Sequence, residues 1–358
     1  MTARHLSLVQ SRARELELCG YCPKLCRATC PVSNVEANEA LIPWGKMSLA
    51  WFSARADSNA DAETAATAWA CTGCHACTAY CEHGNPVADT LYDARAEYHA
   101  SERAPERVAE SVRRHGLRSA EIGARLHEFA SEPGVDPDAP VALLIGCAYL
   151  RQAEPEARAI LRATIALAGP VRLVPGCCGA PLLHAGDRAG FEAARSRLRA
   201  AVDGRELVLG DPGCYVALGD LRFTTLVALA ARHAQRLSQL AGVAQGEPVR
   251  FHDPCALGRG LGQYDEPRQI LAQVLGRTNQ EFPRCREQAE CSGAGALLPL
   301  AMPETSARIA AQRVASHERA GGGLLVTACA SSLRRFRKQG VPAIDIATLI
   351  AQGLGLTE

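Results

Sequence analysis

Long apolar runs are missing from this chain of 358 residues. Its most apolar stretches, VALLIGCAYL, FTTLVALAA and GLLVTACA, stop well short of the ~20 residues that a membrane-spanning helix needs. The start, MTARHLSLVQSRARELEL, is charged throughout and lacks the apolar core of an export signal. Excess charge is also missing: 39 basic residues face 38 acidic ones, a net charge of +1. A chain so balanced has no electrostatic footprint for nucleic acid or for an anionic membrane. Nucleotide-cradling glycine motifs are absent too. Gly258-Arg259-Gly260 and Gly321-Gly322-Gly323 make neither G-x-G-x-x-G nor a phosphate loop, so no flavin or nicotinamide is expected on this chain. With 47% hydrophobic and 22% charged residues, it reads as globular.

What it does have is cysteine, 16 in all. That is too sparse for a disulfide scaffold, which is short, secreted and cysteine-dense. In a cytoplasmic chain, clustered thiols point to metal or redox chemistry.

Residues 1–130 are rich in Ala, Arg and Glu and read as a helical domain; Ile122, Leu126 and Phe129 recur at helical spacing after Ser119. Residues 131–140 carry three prolines and read as a linker. Beyond it, apolar runs at 141–145, 171–174 and 207–209 alternate with helical stretches at 154–168 and 187–201, the signature of a parallel α/β sheet. A second boundary falls at GVAQGEP (residues 242–248), and the alternation restarts at residue 249. Residues 141–242 and 248–358 read as two copies of one α/β domain. Cys147 answers to Cys255, the Cys177-Cys178 pair to Cys291-Ser292, and the region of Cys214 to that of Cys329.

Two cysteine groups precede the linker: Cys19, Cys22, Cys26 and Cys30, then Cys71, Cys74, Cys77 and Cys81. The second has the C-x2-C-x2-C-x3-C spacing of bacterial ferredoxins. Three close thiolates wrap three corners of a cuboidal cluster, and the fourth corner takes a cysteine from the other group. One 4Fe–4S cluster is therefore expected on Cys19, Cys22, Cys26 and Cys81, and the other on Cys71, Cys74, Cys77 and Cys30. Structural zinc sites usually pair two distant C-x2-C units instead. Two departures stand out: an extra residue between Cys22 and Cys26, and a proline delayed to Pro86 after Cys81.

GCCGAPLLHAGD (residues 176–187) and FHDPCALGRGLGQYDEPR (residues 251–268), behind two ferredoxin-like groups, carry a family resemblance. The chain resembles the iron–sulfur proteins with tandem cysteine-rich CCG domains. These include iron–sulfur subunits of glycolate, D-lactate and anaerobic glycerol-3-phosphate oxidoreductases, and heterodisulfide reductase subunits. The resemblance implies a helical two-cluster ferredoxin-like domain followed by two α/β CCG domains. It implies an electron-transfer subunit fed by a flavoprotein partner and discharging to a quinone or a disulfide. Such a chain has no membrane span of its own and is peripheral to the inner membrane through a membrane-bound partner. The alternative is a heterodisulfide reductase-like catalytic subunit that reduces its acceptor at a CCG cluster.

By the same resemblance, Cys147, Cys177, Cys178 and Cys214 are candidates for a further cluster or a zinc ion, with Asp211 where a fifth cysteine would stand. The second copy keeps Cys255, Cys291 and Cys329, with Ser292 and Ser332 in place of the other two, and is degenerate. Cys285 matches no ligand and reads as a packed thiol. His252 reads as a strand-end packing residue and Asp253 as a cap, against the alternative of a proton donor near Cys255. His75 and His83 flank the second cysteine loop and are candidates for tuning it. LRRFRK (residues 333–338) reads as a solvated helix face.

Overall fold

The structure, a computed structural model, describes residues 7–22, 24–55, 61–240, 242 and 247–356. Residues 243–246 of the expected second boundary, and Pro23, lie outside the described residues. The chain divides into two units. The first comprises Met1–His115, Pro181–Phe191 and Glu287–Arg313; the second comprises Gly116–Ala180, Glu192–Arg286 and Val314–Glu358.

The first unit is helical. Helix Pro43–Ala54 packs on Ala13–Gly20 and on Val87–Ala100. Pro43 opens its helix at the position where a missing N–H costs nothing. Leu16, Met47, Trp69, Leu91 and Tyr98 form the core, and Ala185 from the segment Pro181–Phe191 joins it. A second apolar cluster joins Cys30, Val32, Val35 and Ala70 to Leu298, Ile309 and Cys291. Both later segments therefore supply apolar side chains that the helices of residues 7–115 need for closure.

The second unit holds two parallel sheets. The first has the order β2-β1-β3-β4, with β1 Val141–Leu144, β2 Val171–Leu173, β3 Glu206–Leu209 and β4 Phe223–Thr225. The second has the order β5-β6-β7, with β5 Val249–His252, β6 Leu324–Thr327 and β7 Ala343–Asp345. The registers Leu143↔Val208 and Phe251↔Val326 put equivalent strands side by side in each sheet. Among the described residues, no strand flanks β5 where β2 flanks β1. A single parallel bridge, Arg250↔Gln280, stands there. Every residue of β1 and of β5 is buried, as expected where helices cover both faces of a parallel sheet.

The two sheets share one core, which runs through Leu143, Ile160, Val208, Phe251, Ile270, Val326 and Ile350. Helix Glu154–Ala168 of the first copy packs on Ile346–Gly353 of the second. Asp265–Leu275 of the second packs reciprocally on Leu226–Arg232 of the first. This is the contact pattern of an isologous pair, built within one chain. Polar contacts repeat it. Thr225 and Asp345 cap equivalent helices by accepting from Ala228 N and Ala347 N. Each also reaches the other copy: Thr225 Oγ1 donates to Gln263 Oε1 at 2.6 Å, and Tyr149 Oη donates to Asp345 Oδ2 at 2.7 Å.

Ile122, Leu126 and Phe129, on the helix that precedes the proline-rich stretch, also belong to this core. The stretch itself is tied down, with Asp136 N donating to Val171 O and Val171 N to Gly134 O. No helix among the described residues is long and apolar enough to cross a membrane.

Phe251 is fully buried in β5. Phe251→Ala is expected to cost ~3–5 kcal/mol, seen as a lower denaturation midpoint with an unchanged m-value.

Candidate metal centres

All sixteen cysteines are unbridged. In the first unit, Cys19 lies in the last turn of helix Ala13–Gly20, and Cys26 lies in the short helix Leu25–Thr29, which Cys30 terminates. The extra residue between Cys22 and Cys26 is absorbed with Lys24 in the left-handed region, φ 67°, its ammonium 4.0 Å over the Trp44 ring. Burial, then the nearby Cys26, Cys22 and Cys81, push the Cys19 thiol up to about 12. Asn85 opposes that shift: its Nδ2 donates to Cys19 Sγ at 3.0 Å and to Glu15 O at 2.7 Å. The delayed proline has a structural counterpart here, because the loop after Cys81 brings Asn85 to the sulfur before Pro86 opens helix Val87–Ala100. Cys26 is likewise pushed up, to about 11, by burial and by Cys22, Cys30 and Cys81.

The second set is built on a different loop. Gly73 adopts φ +63° and turns its N–H to Cys71 Sγ at 3.4 Å; a Cβ there would lie 2.1 Å from Tyr92 Oη. His75, also left-handed at φ 55°, starts the short helix Ala76–Ala79 that carries Cys77. Burial, then Cys71, Cys30 and Cys74, raise the Cys77 thiol well above its ordinary value. Cys19 and Cys26 thus have Cys81 among their neighbours, and Cys77 has Cys30.

Two buried cations stand at this second set. Lys46, 2% exposed, donates to Ala70 O at 2.7 Å and lies 3.9 Å from Cys30 Sγ. Arg95, 0% exposed, donates to the carbonyls of Ala68, Cys71, His184 and Ala296 at 2.9–3.1 Å. Neither makes an ion pair with a carboxylate among the described residues. A buried cation without a counter-charge is costly, so the pocket calls for negative charge at the thiols. Gathered thiols resist losing their protons, and a metal group is what lets several thiolates share one space. The donor set and the two cations therefore fit an anionic iron–sulfur cluster.

In the second unit, Cys147, Cys177, Cys178 and Cys214 come together. Cys177 Sγ lies 3.7 Å from Cys147 Sγ. Cys178, 2% exposed, is raised well above the ordinary thiol value by its hydrogen bonds with Cys177 and Cys214, and then by burial. Asp211 sits among them. It accepts from Gly213 N at 2.9 Å, and burial pushes it up to about 6, with Cys177 adding to the shift. A Cβ on Gly146, φ +103°, would fall 2.3 Å from Asp211 Cβ, so glycine is required before Cys147.

The cysteines of the second copy are distributed between the units. Cys255 and Cys329 are in the second unit, where burial, then Asp211, push Cys329 up to about 12. Ser332 hydrogen-bonds Cys329 and opposes that rise; Cys255 adds to it. Cys291 belongs to the first unit, packed against the cluster of Cys30. The turns at Cys177 and Cys291 are equivalent: Gly179 N and Gly293 N point to the preceding sulfurs at 3.5 and 3.3 Å. Cys285 packs against the apolar cluster of Phe282 and Phe336. Among the described residues, no three Cys, His, Asp or Glu side chains are set to hold a single metal ion.

His252 is buried edge-on to Phe336, with ring centroids 4.9 Å apart. Asp253 is held by Arg268 at 2.8 and 3.0 Å and accepts from Arg286 N. His252 thus packs at the strand end as expected, whereas Asp253 does not cap the turn after it but anchors Arg268 and the backbone at Arg286. The basic run lies on helix Ala330–Lys338: Leu333 and Phe336 are buried, and Arg337 pairs with Glu156 at 2.6 Å. Sequence reading missed Lys46 and Arg95. The first had a signal, a lone charge in the otherwise uncharged helix Pro43–Ala54.

A family model described as a cysteine-rich domain matches twice, at residues 141–219 and 249–334. One described as a 4Fe-4S dicluster domain matches residues 15–85. The chain belongs to the cysteine-rich-domain iron–sulfur proteins. It is 27% identical over 51% of its length to a dihydromethanophenazine:CoB–CoM heterodisulfide reductase subunit from Methanosarcina barkeri, covering 50% of that protein. It is 24% identical over 85% of its length to a fumarate reductase (CoM/CoB) subunit from Methanothermobacter marburgensis, covering 64% of it. Lactate utilization protein A 2 of Bacillus cereus is 24% identical over half of this chain, 83% of that relative. The chain spans half or less of the heterodisulfide reductase subunits that it matches.

Asp345 gives this family member a pH signature. Burial, with Glu156 and Asp211 nearby, raises it from 3.8 to about 7 against its helix-cap and Tyr149 hydrogen bonds. The folded chain keeps a proton that the unfolded chain releases, so the contribution is full at low pH. It is lost as pH rises from about 4 to about 7, by at most ~1.4 kcal/mol per pH unit. Asp345→Asn is expected to flatten that slope in denaturant titrations across the window.

Proposed function

We propose that this chain is the iron–sulfur electron-transfer subunit of an oxidoreductase complex. One helical dicluster domain followed by two cysteine-rich domains is the arrangement we assign to it. Cys19, Cys22, Cys26 and Cys81 hold one 4Fe–4S cluster, and Cys71, Cys74, Cys77 and Cys30 hold the other. Such clusters supply one-electron storage on thiolate-held iron. The protein's own contribution is to exclude water, to aim N–H groups at sulfur, and to place charge. Electrons arrive from a flavoprotein partner and leave toward a quinone- or disulfide-type acceptor. The chain is cytoplasmic and reaches a membrane through a partner.

The observation that carries this reading is the mutual grouping of the eight N-terminal thiols, with Lys46 and Arg95 buried against Cys30 and Cys71. The relatives add support, since their names describe subunits of reductases. Cys147, Cys177, Cys178 and Cys214 are assigned a further iron–sulfur cluster on the same grounds of thiol grouping, in preference to the zinc ion that was the alternative, since no three side chains among the described residues are set for a single ion.

That four-thiol set, with a carboxyl group pushed to about 6 beside it, favours one second reading: reduction of an acceptor at the cysteine-rich domains themselves. An acceptor-induced change in an EPR signal, lost in Cys147→Ala or Cys178→Ala, would select it.

Anaerobically purified chain is expected to carry at least about eight iron and about eight sulfide. Stoichiometric zinc without sulfide would refute the electron-transfer reading. The pairing has its own test. Cys30→Ala/Cys77→Ala together should remove about four iron if the groups exchange their fourth ligands, and about eight if each group is self-contained.

A further inference from the structure

The two four-thiol sets of the first unit differ in the charge that the fold buries against them. At Cys19, Cys22, Cys26 and Cys81 the buried polar group is a neutral amide, Asn85, 3% exposed. The basic residues of that loop are engaged elsewhere: half-buried Lys24 over Trp44, and exposed Arg27 with Glu39. At Cys30, Cys71, Cys74 and Cys77 stand Lys46 and Arg95, both buried and neither matched by a carboxylate among the described residues. Lys46 acts on Cys30, Cys71, Cys77 and Cys74 together. Arg95 is held by four carbonyls, so its charge is fixed in place.

An added electron makes a cluster more negative. A fixed positive charge in a dry surrounding favours that reduced form, and salt screens it little. A neutral amide donor acts in the same direction but more weakly, since charge-assisted contacts are the stronger kind.

We propose that the set held by Cys30, Cys71, Cys74 and Cys77 has the higher reduction potential of the two, and that Lys46 sets the gap. The proposal rests on the reading that both sets hold iron–sulfur clusters. A single electron given to the pair resides on the Lys46 side. Lys46 is a positioning charge, and Arg95 both adds a second one and braces the Cys71 loop.

The test uses the full-length chain, purified without oxygen, its iron and sulfide counted before an EPR-monitored titration with dithionite. Cys30→Ser identifies which signal belongs to the Lys46 side by altering its line shape. In the unsubstituted chain that signal should be the one reduced first. Lys46→Met should lower its potential by at least tenfold in the reduction equilibrium, about 59 mV for one electron. Lys46→Arg should recover much of the loss. Asn85→Ala should move the other signal alone.

A higher potential on the Cys19 side, or Lys46→Met leaving both potentials in place, overturns the proposal. Should Lys46→Met fail to hold its iron, the order of reduction in the unsubstituted chain decides. Missing iron and sulfide in the unsubstituted chain would sink the cluster reading itself. A full complement with the wrong order would sink this inference alone.

Discussion

The first unit depends on gathering eight thiols, three of them buried, beside two buried positive charges. Thiols packed beside one another and buried hold their protons tightly, as Cys19 and Cys77 do. Lys46 and Arg95, buried without carboxylates, have the opposite need. Each arrangement is unfavourable alone, and a metal group with several thiolates reconciles them. The helices around it are consistent with that demand. Pro43–Ala54 delivers Lys46, and Val87–Ala100 delivers Arg95.

The second unit answers a different problem. Each small parallel sheet, three or four strands wide, is too small to bury both its faces well by itself. Exchanged helix contacts solve this: Glu154–Ala168 with Ile346–Gly353, and Leu226–Arg232 with Asp265–Leu275. The polar seam of Tyr149–Asp345 and Thr225–Gln263 then fixes the register of the two copies. By the resemblance, Asp211, Ser292 and Ser332 stand where a cysteine is expected. Each has gained a local job or a local setting. Asp211 caps Gly213, Ser332 hydrogen-bonds Cys329, and Ser292 is buried.

Strands and long helices were legible in the sequence because the hydrophobic period announces them. The runs that mark β1, β2 and β3, the restart at β5, and the helices near residues 154–168 and 187–201 stand where periodicity puts them. The cysteine groups were legible from spacing. Tertiary use of the chain was not. Nothing local in Pro181–Phe191 or Glu287–Arg313 says that these residues complete a helical unit begun at the N-terminus. Likewise Ile122, Leu126 and Phe129 show their helical face but not which core it fills. Cys291 looked like its aligned neighbours Cys255 and Cys329, yet alignment carries no information about which unit a residue joins. Arg95 was invisible because an arginine among Asp93, Glu97 and His99 resembles any solvated helix.

Arg95 takes its carbonyl partners from Ala68, Cys71, His184 and Ala296, stretches more than two hundred positions apart. During synthesis at ~5–20 residues per second, the N-terminal helices emerge roughly 10–40 s before the last of the segments that clothe them. At the start of that interval the guanidinium has only the carbonyls of Ala68 and Cys71 to bond, half of its final set. The discontinuous layout thus makes the full bracing of the Cys71 loop one of the later events of folding, however early its cysteines are made.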